Sequence, residues 1–327
     1  MTRLARILLA VLGVGAATAL VGPFLVPVPP LRGTVPPERL ADPDSRFAVV
    51  GGVSADGVRI HYKLAGNDEP TMILLHGFAA STFSWREVMT PLARTGTVVA
   101  YDRPSSGLTA RPMPGEWTGD SPYSPVAQVE QVVGLMDALG LRRAILIGNS
   151  AGGTVALHTA LSYPDRVAAL VLVDPAIYVT GGAPSWIRPL LRTPQLRRIG
   201  PVLVRNISIW GERLLGMAWH DPSRITPQIK EGYRAALQAE NWDRGLWELT
   251  VAAQDIRLGE RVAEVRQPTL VITGDDDRIV PTAQSIRLAS ELPGAELVVI
   301  PSCGHVPQEE CPEAFLEAVQ AFLAQVR

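Results

Sequence analysis

Gly148, Asn149, Ser150, Ala151 and Gly152 form a G-x-S-x-G pentapeptide. It follows an apolar run over 143–147 and precedes residues 153–161, which read as a helix. A serine on a tight turn between strand and helix presents its hydroxyl as a nucleophile. The glycines have a mechanical reason. The turn strains the serine backbone, and a side chain at Gly148 or Gly152 would strike the neighbouring strand or helix.

A serine hydroxyl needs a base, and the base needs an orienting acid. Only two lysines occur, Lys63 and Lys230, against 28 arginines, and neither lies near a serine motif. The base should therefore be one of the five histidines. His305 is the best placed, in a Gly304-His305 loop just after the last strand. His158 lies well inside the helix after Ser150 and points away. His76 reads as holding its own loop, and His61 and His220 as packing or surface residues. The acid should follow a strand and precede the histidine. Asp275, Asp276 and Asp277 do so. Asp277 precedes the apolar Ile279-Val280-Pro281 that would anchor the loop, and Asp174 is the reserve. For the oxyanion, the amide of Ala151 is one donor and that of Phe78 the second. This chemistry requires no metal and no cofactor.

The elements that must position these groups alternate. Residues 47–53 and 58–64 read as a hairpin around Asp56-Gly57. Strands follow at 72–75, 97–101, 143–147, 167–173, 269–273 and 296–300. Helices are expected at 84–94, 125–139, 153–161 and 314–326. Such alternation predicts a parallel sheet with helices on both faces. Residues 178–249 break the pattern. They look helical, are punctuated by prolines, and hold five of the seven tryptophans. We read them as an inserted cap over the serine, which points to an apolar substrate. The core is then 47–177 and 250–327.

Composition is 47% hydrophobic and 19% charged, with net charge −2. This suits a folded core and gives no reason to expect nucleic acid as a partner. Residues 1–28 hold Arg3 and Arg6 followed by a long apolar stretch, sufficient to span a bilayer. We read this as a membrane anchor, with a cytoplasmic N-terminus and the catalytic part outside the cytoplasm. The alternative is secretion after signal cleavage near Ala17-Thr18-Ala19. Residues 29–46 form a proline-rich linker. Cys303 and Cys311 flank His305 and read as free thiols, a bridge between them being the alternative. Between Arg188 and Arg213 six arginines meet one acid, Glu212. This reads as a solvated face, with contact to anionic lipid as the alternative.

His76-Gly77-Phe78, the run 102–107, the Ser150 turn, the run 274–281 and Gly304-His305 occur together in an order that resembles the α/β-hydrolase superfamily. The resemblance covers about 47–327 and is weakest at 178–249. It implies an α/β-hydrolase fold, with a mostly parallel central sheet and an inserted helical cap. It also matches Ser150, Asp277 and His305 to the family's triad, and Phe78 and Ala151 to its oxyanion donors. Ser105-Ser106 departs from the glycine and aromatic residue of many relatives. Dehalogenases and epoxide hydrolases of the superfamily carry aspartate at the elbow, so Ser150 implies ester or carbon–carbon bond hydrolysis. Asn149 resembles the elbow of meta-cleavage C–C hydrolases, while the loop after His76 lacks their glycine-rich run. The expected function is a serine hydrolase of small apolar esters. C–C hydrolysis is the alternative, and a non-catalytic ligand-binding homologue is the reading from another class.

Overall fold

The computed structural model describes residues 2–51, 57–178 and 186–326. One eight-stranded sheet runs in the order β1-β2-β4-β3-β5-β6-β7-β8. β1 (Arg46–Val50) and β2 (Val58–Ala65) pair antiparallel, with Arg46 opposite Tyr62 and Val50 opposite Val58. Asp56, expected in their turn, lies outside the described residues. β2 is antiparallel to β4 (Thr97–Tyr101). Beyond it every pair is parallel, through β3 (Thr71–Leu75), β5 (Ala144–Asn149), β6 (Val167–Val173), β7 (Thr269–Gly274) and β8 (Glu296–Ile300). Each residue of β3, β5 and β7 is buried. Their unbroken apolar runs follow from that, because a parallel sheet is covered on both faces.

The helices are α1 (Arg3–Leu25), α2 (Met89–Leu92), α3 (Pro125–Ala138), α4 (Ala151–Ser162), α5 (Arg188–Leu191), α6 (Pro194–Val204), α7 (Ile207–Ala218), α8 (Pro227–Ala235), α9 (Trp242–Ala252), α10 (Thr282–Glu291), α11 (Pro307–Glu310) and α12 (Pro312–Gln325). On one face of the sheet, Val132, Leu135 and Leu157 of α3 and α4 pack on Ile73, Leu146 and Leu172. On the other, Trp85, Leu92, Phe315 and Phe322 cover Leu74, Ile147 and Val171. Ser124 caps α3 by accepting from the Ala127 amide, with Pro125 in the first turn, where its missing N–H costs nothing.

Two elements differ from expectation. The helix expected at 84–94 is split into a 3-10 turn at Thr82–Trp85 and the short α2. Pro91 has no amide to continue a regular ladder through that stretch. α10 carries too weak an apolar stripe to be read from sequence, since its buried positions are Ser285 and Leu288.

Helices α5 to α9 lie in the chain between β6 and β7. The residues 179–185, including Pro184, fall outside the description. Trp219, Trp242 and Trp247 are buried, whereas Trp186 and Trp210 are exposed. Gly200 of α6 sits under the Trp247 ring, where a Cβ would come within 2.1 Å of it. Two helices can approach that closely only through a residue without a side chain. The linker is pinned here too, by paired backbone hydrogen bonds of Val35 with Gln238 and Glu240, each 2.9 Å.

α1 has 23 residues, a mean hydropathy of 2.2 and no buried residue. It is long and apolar enough to cross a membrane, as an anchor or a signal sequence would be. Its C-terminal end is held by the insertion. Gln195 Nε2 donates to the Leu20 carbonyl at 3.2 Å. Arg198 donates to the carbonyls of Pro23 and Val26 at 3.2 and 3.4 Å, and Arg205 to that of Pro29 at 2.7 Å.

Candidate active site

Ser150 occupies the turn between β5 and α4 with φ 54° and ψ −119°. A non-glycine residue there is strained and persists only where its surroundings over-determine it. The surroundings are backbone. A Cβ on Gly152 would lie 2.0 Å from the Leu75 carbonyl oxygen, and one on Gly148 would lie 2.5 Å from that of Gly152. The expected collisions with strand and helix are therefore both present.

His305 follows β8 in a loop tied down at several points. Its amide donates to the Ala218 carbonyl at 2.7 Å, and the Gly304 amide donates to Glu310 Oε2 at 2.8 Å. Asn149 Nδ2 donates to the His305 carbonyl oxygen at 3.0 Å. The ring is held by Asp277, whose Oδ2 lies 2.7 Å from Nδ1. An ionised carboxylate only accepts, so Nδ1 carries the proton and Nε2 is left as the acceptor. The other carboxylate oxygen of Asp277 accepts the amides of Ile279 and Val280 at 2.8 and 2.9 Å. The apolar residues after the aspartate thus fix its orientation. Asp275 accepts the Cys303 amide instead. Asp276 pairs with Arg278 and His220, and the Arg278 guanidinium holds it below the usual carboxylate range.

Asp174, the reserve acid, is fully buried after β6. One of its oxygens accepts from Thr273 Oγ1 at 2.7 Å and the Gly274 amide at 3.2 Å. A carboxylate oxygen of Asp174, one of Asp277 and a ring nitrogen of His305 lie within 4.8 Å of one another. Burial pushes the Asp174 carboxyl well above its ordinary value, and the neighbouring Asp277 charge pushes it further. Among the described contacts the carboxylate that bonds the imidazole is that of Asp277, while Asp174 is engaged by Thr273 and Gly274.

The loop after β3 faces the elbow. A Cβ on Gly77 would lie 3.3 Å from that of Ser150. Among the described contacts, the amides of Phe78 and Ala151 have no protein acceptor. His76 holds this loop: its Nδ1 meets the Gly77 carbonyl at 2.7 Å, and its Nε2 accepts the Arg103 amide at 2.9 Å. Burial, reinforced by the Arg103 charge, lowers its pKa to about 4, so the ring is neutral. His61 is also buried, between Asp102 at 2.7 Å and Ser45 at 2.9 Å. Burial opposes ionisation of Asp102, but the hydrogen bond and charge of His61 hold it down at about 2.

Ser150 and His305 line one cavity of about 230 Å³, together with Phe78, Trp242, Leu246 and Val306. Its charged lining residues, Glu212, Lys230 and Arg234, pair with one another. Ser105 and Ser106, the departure noted in the sequence, form part of its wall.

Three contributions were missed or misread in the sequence. Glu310 is buried and gathers the amides of Gly304, His220 and Asp221 at 2.8 to 2.9 Å. Glu309, also buried, bonds Ser84 Oγ and Arg86 at 2.6 Å and takes the Tyr233 hydroxyl of α8. It fastens the insertion to the core. Nothing local in the sequence marks these consecutive glutamates as buried. Cys303 and Cys311 correct the expectation of free thiols, because they form a disulfide with Cα atoms 6.3 Å apart. The bridge closes the segment that carries His305.

A model of the alpha/beta hydrolase family matches residues 72–318. The chain is 29% identical over 289 residues to a 2-hydroxy-6-oxononadienedioate/2-hydroxy-6-oxononatrienedioate hydrolase of Comamonas testosteroni, covering 86% of this chain and 96% of that enzyme. Among solved structures, a membrane phospholipase A described as a bacterial virulence factor superposes with TM-score 0.67 at 26% identity, over 100% of this chain and 99% of its own. A thermophilic esterase from Thermogutta terrifontis shares the fold with TM-score 0.70 at 22% identity, over 86% of this chain and 98% of that one.

Proposed function

This chain belongs to the alpha/beta hydrolase family, and on that premise we propose that it cleaves carboxylic esters with an apolar part through an acyl-enzyme on Ser150. The observation that carries the reading is one cavity with an apolar wall, into which a strained serine and an aspartate-held histidine both open. Ser150 Oγ attacks the ester carbonyl carbon while His305 Nε2 takes the hydroxyl proton. Asp277 stabilises the imidazolium at Nδ1. The amides of Phe78 and Ala151 receive the oxyanion. Collapse expels the alcohol, protonated by His305. Water, deprotonated by the same ring, then releases the carboxylic acid and restores the serine.

Residues 178–249 serve as the cap and 47–177 with 250–327 as the hydrolase core. Residues 1–28 remain attached as a membrane anchor, with the catalytic part outside the cytoplasm. Apolar character that continues past residue 19, through Leu20, Val21, Phe24, Leu25 and Val26, supports retention. A disulfide beside the base supports an oxidising compartment. The match of the membrane phospholipase A to the whole chain supports an anchored ester hydrolase. Alkaline carbonate extraction with intact mass tests this: a soluble chain lacking its first residues would replace the anchor by a secreted form.

The second reading is carbon–carbon bond hydrolysis of vinylogous diketones. The Comamonas relative favours it, as does Asn149 before the nucleophile. Purified chain assayed on p-nitrophenyl esters of rising acyl length and on such a diketone separates the two. Ester turnover that improves with chain length supports the first, and preferential diketone cleavage replaces it by the second.

A further inference from the structure

A second cavity, of about 470 Å³, lies where the end of α1 meets the insertion. Phe24 and Val28 form one wall, and Arg197, Arg198, Arg205 and Arg244 the other. Charge there is unbalanced. Arg205 pairs with Asp243 at 2.8 Å and Arg197 with Glu248 at 3.1 Å. Among the described contacts the Arg198 guanidinium meets only neutral carbonyls, and the Arg244 guanidinium has no carboxylate partner. In addition, Arg197 Nε is buried with no acceptor among the described residues. A cavity with two uncompensated guanidiniums and an unanswered N–H donor is built for an anion.

Its position says which anion. An α-helix of this length spans about 35 Å, slightly more than a hydrocarbon core of about 30 Å. With α1 in a bilayer, Phe24 to Val28 lie at headgroup depth. Trp186, Leu190 and Leu203, on and beside α5 and α6, are 77%, 52% and 58% exposed. Aromatic and aliphatic side chains exposed beside arginines suit the membrane interface. The apolar flank of α1 below the cavity, with Leu20 and Phe24 exposed, offers a track for acyl chains.

We propose that this cavity binds an anionic glycerophospholipid, its phosphate between Arg198 and Arg244 and its acyl chains along α1. A zwitterionic choline headgroup would turn its own cation towards the same guanidiniums. The site is separate from Ser150 and rests on the reading of α1 as a retained anchor, which carbonate extraction tests by itself.

Full-length chain carrying Ser150→Ala, so that lipid stays intact, is purified in neutral detergent. It is titrated with phosphatidylglycerol, with phosphatidylcholine of the same acyl chains, or with inorganic phosphate, and adducts are counted by native mass spectrometry. Phosphatidylglycerol should be retained at least tenfold better than phosphatidylcholine. Arg244→Ala should weaken it about fivefold, and Arg198→Ala with Arg244→Ala about twentyfold, as expected for one and two interfacial charges. The corresponding lysine variants should keep most of the binding. Because Arg198 also holds the end of α1, Arg244→Ala decides the matter if the double variant loses its melting transition. Equal retention of both lipids, or no effect of Arg244→Ala, overturns the proposal. So does displacement of the lipid by millimolar inorganic phosphate, which would mark a free-anion site.

Discussion

Asn149 and His305 are joined directly: the side-chain amide of the residue before the nucleophile donates to the main-chain carbonyl of the base at 3.0 Å. The same amide reaches the Val173 carbonyl at 3.3 Å. One side chain therefore ties the end of β5 to the end of β6 and to the loop after β8. This gives Asn149 a positioning role that is independent of which bond is cleaved.

Asn149→Ala should leave the His305 carbonyl without its donor, at a cost of about 1–3 kcal/mol in stability. Looser registry of the imidazole should lower kcat roughly tenfold with KM little changed. Active-site titration would still report a reactive serine. An unchanged kcat would remove the positioning role.

Ser150→Ala should abolish labelling by a fluorophosphonate and lower ester turnover by roughly 10³-fold or more, while the melting temperature stays the same, because alanine keeps the Cβ that strains the turn. Well-folded parent protein that takes no label would count against the hydrolase reading itself.

Asp174 sets a pH dependence of stability. Its folded pKa lies above the ordinary 3.8, so the folded chain keeps a proton that the unfolded chain releases. Stability is then greatest below that value and falls as pH rises from it towards the folded pKa, by up to about 1.4 kcal/mol per unit. Asp174→Asn removes the slope. Urea unfolding at pH 4 and pH 8 should show the variant gaining on the parent at pH 8, and parallel behaviour would mean that Asp174 is ionised in the fold.

The Cys303–Cys311 bridge predicts that the native chain has no alkylatable thiol until reductant is added, and then two. Replacing both cysteines by alanine should cost about 2–3 kcal/mol for so short a loop, and the loss should be visible in activity because His305 lies inside it. Two reactive thiols in the chain purified without reductant would rule the bridge out.

Much of the site could be read locally. Ser150 is announced by two glycines whose Cβ positions are filled by backbone. Asp277 could be separated from its neighbours because the residues after it are apolar and so anchor its loop. Long-range partnerships could not be read in this way. Asn149 and His305 are 156 residues apart, and Glu309 finds Ser84 across 225. Glutamate is read as solvated unless a partner is known, and these partners exist only once the sheet has formed. The two cysteines were ambiguous because their spacing permits a bridge without requiring one.

The grip of Arg198 and Arg205 on the carbonyls at the foot of α1 has a kinetic consequence. In a bilayer it would hold the insertion, and the cavity beneath it, at a constant height above the surface. Molecules partitioned into the same leaflet would then reach Ser150 by lateral search in two dimensions. Their turnover would scale with mole fraction in the membrane and not with bulk concentration, so diluting such a substrate with inert lipid should slow the reaction even when its amount per volume is unchanged.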